Sequence, residues 1–155
     1  MATKNERLQG AYHAYEDARG HTPSGLDAAC RWAVAEGLVE LPVVDPYAVL
    51  AGQMGSALRE EMATDDTGRR YRVNHHVRIS REGVQYNMWA QMGYAPHEHM
   101  EISFAQRREQ VIGDCVQLKT DVDVYNRLNA GVRPAIQLVL DFTDDVAERE
   151  EQLAA

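Results

Sequence analysis

The spacing of apolar residues changes from a helical to a strand period near residue 70, and this change constrains the fold more than any other feature. Before it, apolar side chains recur every three or four residues, as they do along one face of an amphipathic helix. After it, they recur every second residue, with Tyr71, Val73, Val77 and Ile79 on one side and Arg70, Arg72, His76 and Arg78 on the other. A chain that contains both periods is expected to have an α+β fold.

Three helices are predicted ahead of this change. The first covers residues 5–19 and stops at Gly20, since glycine readily takes the left-handed conformation that ends many helices. A second helix comes next. Asp45 and Pro46 open the third, because an Asp side chain accepts hydrogen bonds from free helix amides and Pro suits the first helical position. Between the second and third helices, residues 38–44 contain a proline and are predicted to form an edge strand or a connector.

The alternating region and the residues after it complete the predicted architecture. Residues 70–79 and 84–92 form the two strands of a β-hairpin, joined by a turn. A long helix over residues 96–128 comes next, because its apolar residues recur at steps of three and four. Alternation returns in residues 136–142, which predicts one further strand, and an acidic helix ends the chain.

This order divides the chain into two parts that are expected to pack as one compact unit. Residues 1–92 hold the three helices and the hairpin. Residues 93–155 hold the long helix, the further strand and the acidic terminal helix. The long helix is expected to lie across the sheet, although its apolar stripe would also serve as a dimer seam.

Five arginines fall within thirteen residues that contain no acid, although the whole chain has a formal net charge of −8. Such a patch could bind nucleic acid, an acidic protein partner, or the acidic half of a second copy in a homodimer. It could also be a solvated face whose arginines pair with acids elsewhere in the chain. The candidate binding residues are Arg69, Arg70, Arg72, His76, Arg78, Arg81 and Trp89.

Three helices followed by a hairpin resemble a winged helix-turn-helix module over roughly residues 5–92. The match to the HARE-type winged helices lies in Asp45-Pro46, Leu50, Met54 and Leu58 of the third helix, followed by Tyr71-Arg72-Val73. The resemblance implies a DNA-associated role, with the third helix and the hairpin wing in contact with double-stranded DNA. Of the polar residues that could read bases, the third helix offers only Gln53, Ser56 and Arg59.

No sequence signature of an enzyme or a cofactor site is found. Phosphate-binding loops, dinucleotide fingerprints and nucleophile elbows are all missing. His97 and Glu101 have the spacing of helical zinc ligands, but Glu stands where the zinc-protease motif has its second His. We therefore expect no catalytic residue, no metal and no cofactor. Cys30 and Cys115 are expected to be buried free thiols.

The sequence leaves two functions from different classes. One is a DNA-associated, regulatory winged-helix-like protein that uses its arginine-rich hairpin. The alternative is a protein–protein interaction adaptor or inhibitor without enzymatic activity, in which the same arginines dock an acidic partner. No signal or membrane-spanning segment is recognised, so a cytoplasmic location is expected, with no membrane partner.

Overall fold

The first two helices pack against each other through small side chains. In the computed structural model, which describes residues 1–155, α1 spans Lys4–Arg19 and α2 spans Leu26–Ala35. Ala11, Ala29 and Ala33 are buried, since alanines let two helix backbones approach closely. Cys30 is exposed and Cys115 is half-buried, so the expectation of two buried thiols was wrong for Cys30.

The third helix, α3, spans Pro46–Glu60 and begins as predicted. The Asp45 carboxylate accepts a hydrogen bond from the Tyr47 N–H at 3.0 Å, which satisfies one of the free amides at the helix start. Residues 38–44 form no strand, so this segment is a connector.

The strands form two separate antiparallel pairs rather than one hairpin. β1 (Met62–Thr64) pairs with β2 (Arg70–Arg72), and β3 (Asn74–Arg81) pairs with β4 (Val84–Gln91). The predicted hairpin is confirmed in the second pair. Its turn is the two residues Glu82 and Gly83, whose φ values of 50° and 78° are both in the left-handed region. Two positive φ angles give the mirror-image turn that matches the twist of paired strands.

The predicted strand over residues 70–79 is divided at Val73, which corrects the expected position of its arginines. The Val73 N–H donates to the Glu61 carbonyl, and the Val73 carbonyl accepts from the Met92 N–H. The chain thus changes partner at this residue, from β1 to β4. Arg70 and Arg72 lie on β2, so they do not share one strand face with Arg78. The sequence does not separate β1 from the end of the third helix, because Met62 continues the apolar stripe of that helix.

The long helix, α4, spans His97–Leu128 and lies along the outer border of β3. The side-chain amide of Gln106 donates to the Arg78 carbonyl and accepts from the Arg78 N–H, both at 2.9 Å, as a neighbouring strand would. The Ser103 hydroxyl donates to the His76 carbonyl at 2.9 Å. Ser103, at 1% exposure, is the most deeply buried side chain, so this contact fixes the helix on the hairpin.

The chain ends in α5 (Thr143–Ala154), but the predicted strand before it does not form. Residues 134–142 belong to neither helix nor strand. Alternation shows that a segment suits a sheet surface, yet a strand also needs a neighbour, and none pairs with this segment within the chain. The mixed α+β class is confirmed, with five helices and two small sheets.

Contacts along the chain define two compact units, residues 1–50 and residues 51–155. The boundary expected at residue 92 lies inside the second unit, where α4 bonds to the hairpin. The resemblance to a winged helix stays a prediction. None of the helices, α4 included, is both long and apolar enough to cross a membrane.

Candidate functional site

A cleft of about 560 Å³ lies between the end of α3, the hairpin and α4 in the second unit. Four of its thirteen lining residues are arginines, and it has a single carboxylate, Asp114. We call it the arginine cleft. Its cationic or potentially cationic lining residues are Arg59, Arg72, His75, His76, Arg107 and Arg108.

The arginines of this cleft are largely free of acid partners. Arg59, Arg72 and Arg107 form no salt bridge, and Arg108 has only a long contact of 3.7 Å with its exposed neighbour Glu109. Partial burial, together with the nearby charge of Arg72, lowers the pKa of the Arg107 guanidinium. Four arginines beside one carboxylate give the cleft a local excess of positive charge in a chain whose net charge is negative.

An aromatic stack forms one wall of the cleft. The rings of His76 and Trp89 are stacked with centroids 4.8 Å apart, and the Arg59 guanidinium lies 5.2 Å from the centre of the indole. His76 on β3 and Trp89 on β4 are directly paired across the hairpin, which brings their rings into contact. Trp89 is half-buried, and a side chain at Gly55 would come within 3.5 Å of it. It therefore packs on α3.

His75 and His76 are surrounded by positive charge. Burial lowers the pKa of both imidazoles below the usual 6.5, and neighbouring arginines lower it further. For His76 these are Arg59, Arg78 and Arg107. His75 is only 4% exposed, and its Nε2–H donates to the Arg72 carbonyl at 2.8 Å. Both rings are thus neutral at pH 7, and an anion in the cleft would favour their protonation.

The structure brings together three of the seven predicted binding residues. Arg72, His76 and Trp89 line the arginine cleft. Arg69 lies outside it and is held in the turn after β1, where it donates to Asp65 at 3.0 Å. The remaining three also lie outside the lining and have no acid partner: Arg70, Arg78 and Arg81.

Three of the six cationic or potentially cationic residues of the cleft lie outside the arginine cluster at residues 69–81. Arg107 and Arg108 lie some thirty residues after it and come near only because α4 lies against β3. Arg59 comes from α3, where the sequence indicates only a residue that could face bases. The adjacent arginines of α4 were a usable signal, but their relation to the hairpin depends on the packing of Ser103 and Gln106.

The candidate metal ligands remain a pair. His97 and Glu101 are 3.3 Å apart and both strongly exposed on α4. No group of three or more His, Cys, Asp or Glu side chains is arranged to hold a metal ion. Two exposed ligands leave most of a coordination shell to water.

The side chains of the arginine cleft are suited to binding an anion. Guanidinium groups donate paired hydrogen bonds to phosphate or carboxylate oxygens, and an indole or imidazole offers a flat face. No protein-family model, curated protein or solved structure matches this chain.

Proposed function

We propose that this protein binds DNA through its arginine cleft, with the phosphate backbone as the main contact. The observation that carries the proposal is the group of guanidinium ions at the cleft, Arg59, Arg72 and Arg107, which have no carboxylate partner. Cations in one cleft attract negative charge at close range when no carboxylate lies within salt-bridge distance of them.

A polymeric anion fits this surface better than a small one. Outside the cleft, Arg70 lies on β2 and Arg78 lies on β3, and both are exposed without acid partners. A small anion would use two or three of these groups, whereas a nucleic-acid strand presents a phosphate at every nucleotide. The resemblance to winged helices supports the same class of ligand, since their hairpin wing lies against the backbone.

The acidic remainder of the chain limits how this binding can work. A net charge of −8 repels DNA at long range, so binding depends on a few close contacts rather than on a broadly basic surface. Contact with phosphates through few arginines supplies positioning and little sequence information. We therefore propose salt-sensitive, weakly selective binding.

Fluorescence anisotropy with a labelled duplex tests this function. Affinity should fall steeply between about 50 and 200 mM salt, because each phosphate contact releases counterions. The double substitution Arg72→Ala and Arg107→Ala should lower the slope of log affinity against log salt by about 2, since each lost contact accounts for roughly 0.9.

A matched control has the same change in charge outside the cleft. Arg31→Ala with Arg149→Ala removes two exposed arginines, one of them paired with Asp27, and should change the slope much less, because neither residue lines the cleft. No binding at low salt, or equal losses in both double variants, would refute the proposal. Tighter binding of a poly-glutamate peptide than of DNA of equal charge would instead favour the alternative, an interaction protein with an acidic partner.

A further inference from the structure

Residues 135–142 have a strand-forming sequence but no strand partner. Ile136, Leu138, Leu140 and Phe142 alternate with other residues, as they would on one face of a sheet. The side-chain amide of Asn126 accepts a hydrogen bond from the Ile136 N–H at 2.8 Å and donates one to the Ile136 carbonyl at 2.9 Å. After it, the backbone groups of residues 137–141 bond to no other part of the protein.

The hairpin has one free border, and it belongs to β4. Along β3 the border is already occupied by side chains of α4, including both hydrogen bonds of Gln106 to Arg78. Along β4 no backbone group before Gln91 bonds to anything except β3. Its apolar side chains are also uncovered, with Val84, Tyr86 and Met88 exposed by 52%, 47% and 53%.

We propose that two copies of this chain form a dimer in which residues 135–142 of each copy add a third strand to β4 of the other. β4 is eight residues long, and the five residues 137–141, whose backbone groups are unpaired, fit along it. The free border and the unpaired segment belong to the same chain. In a two-fold symmetric dimer the contact forms twice, so each copy pairs its own segment and has its own β4 border covered. Strand addition to an open sheet edge is a common mode of association, because the backbone itself supplies the hydrogen bonds.

Uncovered apolar side chains lie on both segments of the proposed contact. Seven large ones are exposed by between 36% and 74%: Val84, Tyr86 and Met88 on β4, and Ile136, Val139, Leu140 and Phe142 after α4. Because the contact forms twice in a two-fold dimer, these side chains of both copies would be covered together. Their burial adds to the backbone hydrogen bonds that hold an added strand.

Sedimentation velocity of the full chain tests the dimer, with a mass of twice 17.4 kDa expected for wild type. The double substitution Leu138→Pro and Val139→Pro removes two backbone donors that bond to nothing within one chain, so folding of the single copy should be preserved. The dimer should weaken by about 100-fold or more. Val43→Pro, at a fully exposed residue of the connector before α3, is the control and should leave the dimer intact.

Nuclear magnetic resonance on mixed samples locates the contact. Equal amounts of ¹⁵N-labelled and ¹³C-labelled chains should give contacts between copies that join Tyr86 or Met88 to residues 138–140. Slow exchange of every second amide among residues 137–141, those that face β4, should appear only at concentrations where the dimer forms. A monomer at ~100 µM, protection independent of concentration, or a dimer that survives the double Pro substitution would each overturn the proposal.

Discussion

His76 makes the charge of the arginine cleft dependent on pH. Its ring is stacked on Trp89, and burial together with Arg59, Arg78 and Arg107 lowers its pKa below 6.5. In the unfolded chain the same ring takes up a proton near pH 6.5. Between the two pKa values the unfolded state binds more protons, so stability is full above pH 6.5 and declines as the pH falls below it.

Binding of an anion should show the opposite trend. As the pH falls from 7.5 to 6, protonation of His76 adds positive charge beside the bound phosphates, so DNA affinity should rise by about two- to fivefold. His76→Gln should remove most of this rise, whereas His13→Gln, at an exposed residue of α1, should keep it. Titration of the ring by nuclear magnetic resonance gives the direct check. A His76 pKa at or above 6.5 in the free protein would contradict the expectation.

Single residues also show where a sequence pattern stops being informative. The arginines between residues 69 and 81 are evident from the sequence, but Arg69 is held by Asp65 while Arg72 lines the cleft. Two arginines only three residues apart in sequence therefore have different surroundings in the structure. What decides between them is the turn at residues 65–69, whose hydrogen bonds to the Asp65 carboxylate lower its pKa to about 2.

Among the elements, α4 depends on Gln106 for its position. The side-chain amide makes both hydrogen bonds that a third strand would make to Arg78. Gln106→Ala should lower the free energy of unfolding by about 1–2 kcal/mol, since two hydrogen bonds are lost while helix propensity changes little. Chemical denaturation measures this loss.

The control for this element is Gln117→Ala on the same helix. Gln117 bonds only to Asp121, one turn further along the exposed surface, so its replacement should change stability by less than about 0.5 kcal/mol. Exchange of the Arg78 amide should accelerate in the Gln106 variant alone. Equal effects of the two substitutions would mean that the contact to β3 contributes nothing.

Most elements could be predicted because their signals are local. The cap of α3 at Asp45 and the tight turn at Glu82–Gly83 depend on neighbours in sequence. The errors concern partners that are distant in sequence. β1 is missed because three residues show no period, and residues 136–142 alternate like a strand although no neighbour pairs with them in the chain. The same limit hides Arg107, which reaches the cleft only through tertiary packing.

At the scale of the whole molecule, net charge opposes the proposed ligand. The exposed acids of α5 add to a formal charge of −8, and their field reaches about 30 Å at 0.01 M salt but only 3 Å at 1 M. The triple substitution of Glu148, Glu150 and Glu151 by Gln brings the charge to −5. It should raise the association rate with DNA at 0.01 M salt, and the gain should vanish near 1 M.

Stopped-flow fluorescence at several salt concentrations measures this effect. The dissociation rate should stay nearly constant, because none of the three residues lines the arginine cleft. Substitution of Arg149 by Gln, which raises the negative charge by one on the same helix, should slow association at low salt. A gain that persists at high salt would place these glutamates in direct contact with the ligand.

The contact of α4 with β3 also limits how the chain can aggregate. Fibrils grow when each sheet can receive a new strand at both ends, so that layers accumulate without a natural stop. Here Ser103 and Gln106 have closed one end with side-chain groups. A further strand can therefore join this hairpin only along β4, so the hairpin cannot lie in the middle of a stack that grows on both sides.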